Sequence, residues 1–525
     1  MKIFRCDQIK DIDEYTIKHE PVSSIDLMER ASGEIFKWIE SKFDRSNKFI
    51  IFVGPGNNGG DGLALARIFS VNRYIVKVIY VKFTEKTSGD WEVNRLRLKS
   101  ETQIGLNIIE NLDDLPRIDS EDIIIDAIFG SGLALPVEGL PAEIIKEINS
   151  SGSKVISIDI PSGLFGEDNS ANNSESIVKA DFTLSFQFPK LSFMFADSAD
   201  YAGNWEVLNI GLSSNIIGST ASPYVFIENN DIAPLLKTRS QFDHKGNFGH
   251  GLLVSGSLGK MGAAVMGAEA ALRTGIGLIT CHIPSCGSLI VQSSLPEAMV
   301  ILDKTENQIS EVGKTDIYNA VGVGPGLGTE PKSQIALFSL LSECKKPMVI
   351  DADALNILSL NKEWLSLLPE GTILTPHPKE FERLAGKTYS GFDRMKRQME
   401  FSKVNNCIVV LKGAHTSVTT PEGKVMFNST GNPGMAKGGS GDVLTGIILS
   451  LLAQGYTSEN ASVTGVFLHG LAGDIAADEL CFESIIASDI INCIGKAFNN
   501  IRLNGATAQW RNGEEEKGRV GDWEK

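Results

Sequence analysis

Short apolar runs alternate with longer amphipathic stretches along most of the chain. Residues 49–53, 76–81, 123–127 and 155–158 are largely apolar and rich in Val and Ile, the pattern of strands buried on both faces of a sheet. Residues 10–42 place Ile12, Tyr15, Ile17, Leu27, Ile35 and Trp38 at helical spacing. A second series of strand-like runs begins at 251–255 and continues through 278–283, 320–323, 348–350, 372–374 and 408–411. Helices are predicted at 262–274, 379–385 and 443–454. Strands that alternate with helices form parallel sheets covered on both faces, so the expected class is α/β with three-layer αβα domains.

The two series are separated by the polar stretch 213–222, which follows a further strand-like run at 205–210. The expected boundaries are therefore 1–215 for one domain and 222–504 for the other. The segment 505–525 is charged, contains glycines and lacks periodicity, and is expected to be disordered. A chain of 525 residues exceeds one ordinary core, which agrees with two domains.

The net charge of −16 argues against a nucleic-acid-binding surface. Seven cysteines are scattered without a zinc or redox spacing, as in reduced cytoplasmic proteins. The N-terminus is polar, and no apolar run reaches the ~20 residues that span a bilayer, so no membrane association is expected.

Candidate chemistry concentrates at strand ends. The segment TGNPGMAKGGSGDVLTG (430–446) sets glycines ahead of Asp442 and an apolar helix. Such a turn presents free N–H groups and the positive helix end to an anion. Asp442 at that mouth is placed to take a proton from a hydroxyl while the amides hold a phosphoryl group. The same segment also suits an ordinary turn with Asp442 as a helix cap. GVGPGLG (322–328), DADALN (351–356), TPHPKE (375–380) and KGAHT (412–416) end other predicted strands, where ligands bind in open α/β sheets.

These motifs, with KMGAAVMGAEAALRTGIGLIT (260–280), resemble the ADP- or ATP-dependent NAD(P)H-hydrate dehydratases, a branch of the ribokinase-like kinases. The resemblance covers residues 225–500 and implies a ribokinase-like C-terminal domain. It implies that Asp442 is the catalytic base and contacts substrate, and that Ala263, Gly326 and His377 line the hydrate site. Lys412, Gly413, Ala414, His415, Thr416 and Gly441 would bind the nucleotide, ADP or ATP. His377-x-x-Glu380 takes the place of a magnesium-organising motif, giving Glu380 an indirect role toward magnesium. The family pattern has Gly where this chain has Lys379. The implied chemistry is phosphorylation of the C6 hydroxyl of a hydrated nicotinamide, then loss of phosphate. The residues alone support phosphoryl transfer but do not name the acceptor; a vitamin-precursor kinase would use the same base and anion hole.

In the N-terminal half, GPGNNG (54–59) satisfies the weak G-x-G-x-x-G pattern, but no acidic residue ends the next strand. The longer NNGGDG (57–62), with DAIFGSG (126–132) and DIPSG (159–163), is similar to the NAD(P)H-hydrate epimerase family over residues 1–215, which implies a Rossmann-like fold. By that likeness Asn58, Asp126 and Ser162 would bind potassium. Asn57, Asn58, Gly59, Gly60 and Asp61, then Gly130, Ser131, Gly132, Leu133, Ala134, Leu135 and Pro136, with Asp159, would contact the hydrate. Asp159 is the candidate epimerisation residue. Leu135 stands where the family commonly has Arg, which predicts weaker phosphate recognition. Together the two resemblances imply a bifunctional metabolite-repair enzyme acting on the hydrates NADHX and NADPHX, cytoplasmic and homo-oligomeric. The alternative is a small-molecule kinase with an inert N-terminal binding domain.

Overall fold

The computed structural model describes residues 1–520, with side chains to residue 504. Two compact units emerge: Lys2–Tyr224 with Tyr389–Phe392, and Val225–Thr388 with Met1 and Asp393–Lys525.

In the first unit the strands are β1 (Lys48–Val53), β2 (Ile75–Val81), β3 (Leu106–Ile109), β4 (Ile123–Ala127), β5 (Lys154–Ile158), β6 (Phe182–Phe186) and β7 (Asn204–Leu208). They lie in the order β3-β2-β1-β4-β5-β6-β7, every neighbouring pair parallel. The strand-to-strand alternation of side chains divides the core in two. Ile51 and Val53 pack with helices α1 (Ser24–Lys42), α2 (Asn57–Val71) and α3 (Gly89–Glu101). Ile50 and Phe52 face α4 (Leu140–Ser150) on the other side. A further helix, Cys6–His19, buries Ile9 and Ile12. The order reverses between β1 and β4, which opens the crevice where ligands sit in such sheets.

The second unit has β8 (Tyr224–Ile227), β9 (His250–Val254), β10 (Leu278–Ile283), β11 (Met299–Leu302), β12 (Ala320–Val323), β13 (Met348–Ile350), β14 (Ile373–Leu374), β15 (Ile408–Leu411), β16 (Ser417–Thr419) and β17 (Val425–Asn428). Their order is β8-β17-β16-β15-β14-β13-β12-β9-β10-β11. β9 to β15 pair in parallel, and β15-β16-β17 close one side with antiparallel pairs. Leu253 and Val349 face one core, with helices α5 (Met261–Arg273), α6 (Ser440–Ala453) and α7 (Ser458–Glu479). Leu252 and Ile350 face the other. The order reverses between β9 and β12, a second crevice.

The αβα reading of both halves therefore holds. The strands at Leu106–Ile109, Phe182–Phe186, Tyr224–Ile227, Met299–Leu302, Ser417–Thr419 and Val425–Asn428 were absent from the sequence pattern. Polar residues fall within Leu106–Ile109, Phe182–Phe186, Ser417–Thr419 and Val425–Asn428, whereas Tyr224–Ile227 and Met299–Leu302 are apolar but lie toward a sheet edge. The chain turns from one unit to the other at 224/225, beside the expected gap at 216–221. The last helix is Ala487–Val520; residues 521–525 of the segment expected to be disordered lie outside the described residues.

Candidate active sites at the two crevices

In the second unit, Gly439 precedes α6 with φ 94°, and a Cβ there would meet Met266 Sδ at 2.7 Å. Only glycine suits that left-handed, crowded turn. It places Ser440, Gly441 and Asp442 in the first turn of α6, where N–H groups lack intrahelical partners. A Cβ at Gly441 would lie 3.4 Å from Lys412 Nζ and 3.6 Å from Asp351 Oδ2. Lys412 Nζ donates to Asp351 Oδ1 at 2.8 Å, and Thr445 Oγ1 donates to Asp351 Oδ2 at 2.8 Å. A lysine and a buried aspartate thus adjoin the turn that carries Asp442. Burial, then the negative charge of Asp351, pushes the Asp442 carboxyl up to about 6, against the opposing pull of Lys412.

Gly326, with φ 62°, lies against Ala263: a Cβ at 326 would meet the Ala263 Cβ at 3.2 Å. The loops are tied by Gly256 N–H to Pro325 O, 2.9 Å, and by Ser257 Oγ to Gly326 O, 2.8 Å. These two predicted hydrate-lining residues therefore sit together at the β9/β12 crevice. His377 caps the helix Pro378–Ala385: its Nδ1 accepts from Lys379 N at 3.1 Å, while its own N–H donates to Glu380 Oε2 at 2.9 Å. Both Glu380 oxygens face His377, the second at 3.4 Å from Nε2. The sequence reading expected a magnesium-organising pair, and the geometry is that of a capping box. Lys412 N–H donates to Pro376 O at 2.9 Å, joining the KGAHT loop to this cap. Within KGAHT, Thr416 Oγ1 binds Gly413 O at 3.0 Å, and His415 Nδ1 lies 3.1 Å from Asn428 O.

Three partners of this site carried no role in the sequence reading. Asp351 and Thr445 are two; the third is His469 on α7, whose Nε2 lies 3.3 Å from Ser440 Oγ. Burial, then Lys412, lowers the His469 imidazole to about 4. DADALN carried a signal for Asp351, since its first Asp ends a strand. His469 had none, for it lies in the middle of a helix.

In the first unit, the NNGGD segment forms the first turn of α2, with Asn58 and Asp61 each 8% exposed. Backbones approach closely here: a Cβ at Gly54 would lie 2.0 Å from Ile128 O. Asn58 Nδ2 donates to Phe129 O at 2.8 Å. Asp126 is fully buried and accepts from Ser157 Oγ at 2.7 Å, Ser162 N at 2.8 Å and Ser162 Oγ at 2.5 Å. Ser162 Oγ also accepts from Phe129 N at 2.8 Å. Asn58 and Ser162 thus meet at the backbone of Phe129, and Ser162 ties Asp126, which also accepts from Ile128 N, to the same loop. Burial raises the Asp126 carboxyl above its ordinary value even against these hydrogen bonds.

Asp159 follows β5 with φ 67°. Ser131 N–H in the 130–136 loop donates to its Oδ2 at 3.3 Å, and Lys190 Nζ donates to its Oδ1 at 2.7 Å. Burial works against the Asp159 charge, but Lys190 and these donors prevail and hold the carboxyl below its ordinary value. Asp61 is pushed well above its own by burial, then by Asp159 and Asp13. Lys190 and Asp13 also escaped the sequence reading. Lys190 follows β6, a strand the pattern missed. Leu135 is 75% exposed.

The family described as NAD(P)H-hydrate dehydratase matches residues 251–496, and the YjeF-related protein N-terminus matches residues 24–192. The bifunctional NAD(P)H-hydrate repair enzyme of Thermofilum pendens is 34% identical over 517 residues, covering 96% of this chain and 97% of its own. That of Moorella thermoacetica is 33% identical over 521 residues, covering 95% and 97%. A solved ADP/ATP-dependent NAD(P)H-hydrate dehydratase from Bacillus subtilis, co-crystallized with ATP/Mg2+, is 28% identical with a TM-score of 0.47, covering 53% of this chain and 98% of its own.

Proposed function

The chain belongs to the family of bifunctional NAD(P)H-hydrate repair enzymes, and from that premise we propose how its two crevices divide the work. The N-terminal unit interconverts the R and S hydrates; the C-terminal unit dehydrates the S hydrate and releases phosphate. The observation that carries the second assignment is Asp442, a half-buried carboxylate in the first turn of a glycine-led helix whose turn adjoins Lys412. A base next to free amides and a cation suits transfer of a phosphoryl group to a hydroxyl. Asp442 takes the C6 hydroxyl proton as the oxygen attacks the terminal phosphoryl of ADP or ATP. The amides of Ser440 and Gly441 and the ammonium of Lys412 hold the transferred group. Loss of phosphate from C6 and of a proton from C5 then restores the reduced nicotinamide. Ala263, Gly326 and His377 line the hydrate pocket, and residues 412–416 hold the nucleotide.

Potassium fits the first unit. Asp126 is buried with no cationic side chain paired to it among the described residues, a charge that calls for compensation. Asn58, Asp126 and Ser162 would hold the ion, whose charge would steady the loop that follows β4. Magnesium finds a poorer fit: among the described residues no group of three or more His, Cys, Asp or Glu side chains converges, and Glu380 is engaged by its own cap. Magnesium would then arrive on the nucleotide phosphates.

The test is product analysis. The S hydrate with ADP or ATP should give NADH and free phosphate in equal amounts. A stable phosphate ester would favour the kinase reading instead.

A further inference from the structure

The pocket of the first unit contains a charge arrangement that substrate binding alone does not require. Lys190 is 1% exposed, and lysine is almost never so buried unless paired. Its Nζ donates to Asp159 Oδ1 at 2.7 Å and to Ser185 Oγ at 3.0 Å. A buried ion pair stabilises a fold no better than apolar residues of similar volume, so stability does not explain it. Asp159 itself holds a left-handed backbone at φ 67°, a conformation that costs a non-glycine residue about 1–3 kcal/mol and gathers at working sites. Asp61, on the first turn of α2, is 8% exposed and lies within the field of Asp159 and Asp13. Asp61 is buried with no cationic side chain paired to it among the described residues, whereas Asp159 holds Lys190; two carboxylates so differently partnered suit an acid and a base.

We infer that Lys190 is a positioning residue of the epimerase site: it holds Asp159 as the proton acceptor, while Asp61 on α2 carries the proton to be donated. The inference rests on the assignment of epimerisation to this pocket. Asp159 takes the proton of the C6 hydroxyl, the C6–N1 bond breaks as the carbonyl forms, and N1 receives the proton of Asp61. The open chain turns about the C5–C6 bond. N1 then adds to the other face of C6, and both protons return, so atoms and charge balance without a co-reactant. The groups that act on Asp159 are Lys190 from the loop after β6, Asp13 and Cys6 from the helix Cys6–His19, Asp61 from α2, and the N–H groups of Ser131 and Phe186.

The full chain is tested with R hydrate and excess S-specific dehydratase, following exchange against pH. Lys190→Gln should lower exchange about 10²-fold at neutral pH and move the acid limb of the residual rate up by about one pH unit or more. Lys190→Arg should restore most of both. Infrared difference spectra of the parent against Asp61→Asn should show a protonated carboxyl at neutral pH that the variant lacks; this arm stands even if Lys190→Gln fails to fold. Parental exchange with an unmoved limb in Lys190→Gln would overturn the inference, as would the absence of that carboxyl. An arginine variant as impaired as the glutamine one, its limb unmoved, would reduce Lys190 to a structural part. If Asp159→Ala still exchanges normally, the assignment of the pocket falls. If Asp159→Ala is dead and Lys190→Gln normal, only the role of Lys190 falls.

Discussion

Replacing Asp442 with Asn removes one charge and a proton acceptor while keeping the side-chain shape at the start of α6. A positioned general base contributes about 10²–10⁴ in rate, or about 3–5 kcal/mol of barrier. Dehydration of the pure S hydrate, read as returning NADH absorbance, should fall by at least the lower bound, while calorimetric nucleotide affinity stays near that of the parent. Stability should move the other way. The Asp442 carboxyl rises from 3.8 to about 6 on folding, so holding it ionised costs at most about 3 kcal/mol. The folded state binds the proton more tightly than the unfolded one, so this cost is absent below the unfolded value and complete above the folded one. Asp442→Asn should therefore melt higher than the parent at about pH 7.5 and no higher at about pH 3. Turnover within about tenfold of the parent would refute the base assignment, and equal melting at both pH values would refute the burial argument.

Other consequences follow from the same geometry. Asp351→Asn removes a charge that raises Asp442, so the acid limb of dehydration should move to lower pH; an unmoved or upward limb contradicts the coupling. A chain of residues 222–504 keeps β8 to β17 and both cores of the second unit. It should fold alone and consume the S hydrate, leaving the R form to slow spontaneous exchange; insoluble protein or rapid loss of both epimers would count against it. Asp159→Ala should abolish fast R-to-S exchange without touching S-hydrate dehydration, whereas Asp126→Ala should weaken the response to potassium. A coupled assay with and without the ion separates these outcomes.

Much of the fold was legible because the central strands are buried on both faces. Phe49–Val53, Ile123–Ile125 and Ile408–Leu411 stand out as unbroken apolar runs. Met299–Leu302, MVIL, is equally apolar in sequence although it lies largely exposed at a sheet edge, and it escaped the strand series. Motifs at the ends of central strands, such as those carrying Asp126, Asp159 and Asp351, were visible because glycine, proline and aspartate break the apolar run there. Partners brought in from elsewhere were not. Lys190 lies 31 residues from Asp159, and His469 is 29 from Ser440. Their importance depends on pairings that only the folded backbone creates. Glu380 shows the converse: its spacing from His377 fits both a metal motif and a helix cap, and the structure places it in the cap.

The central claim is that this one chain returns both epimers of hydrated nicotinamide to the reduced cofactor. An epimeric mixture of hydrated NADH, incubated with the purified chain and ADP or ATP in turn, tests it most directly. The account predicts that reduced-nicotinamide absorbance recovers for the whole mixture, with one phosphate released per NADH formed. Consumption of nucleotide with accumulation of a stable phosphate ester, and no recovery of absorbance, would contradict it.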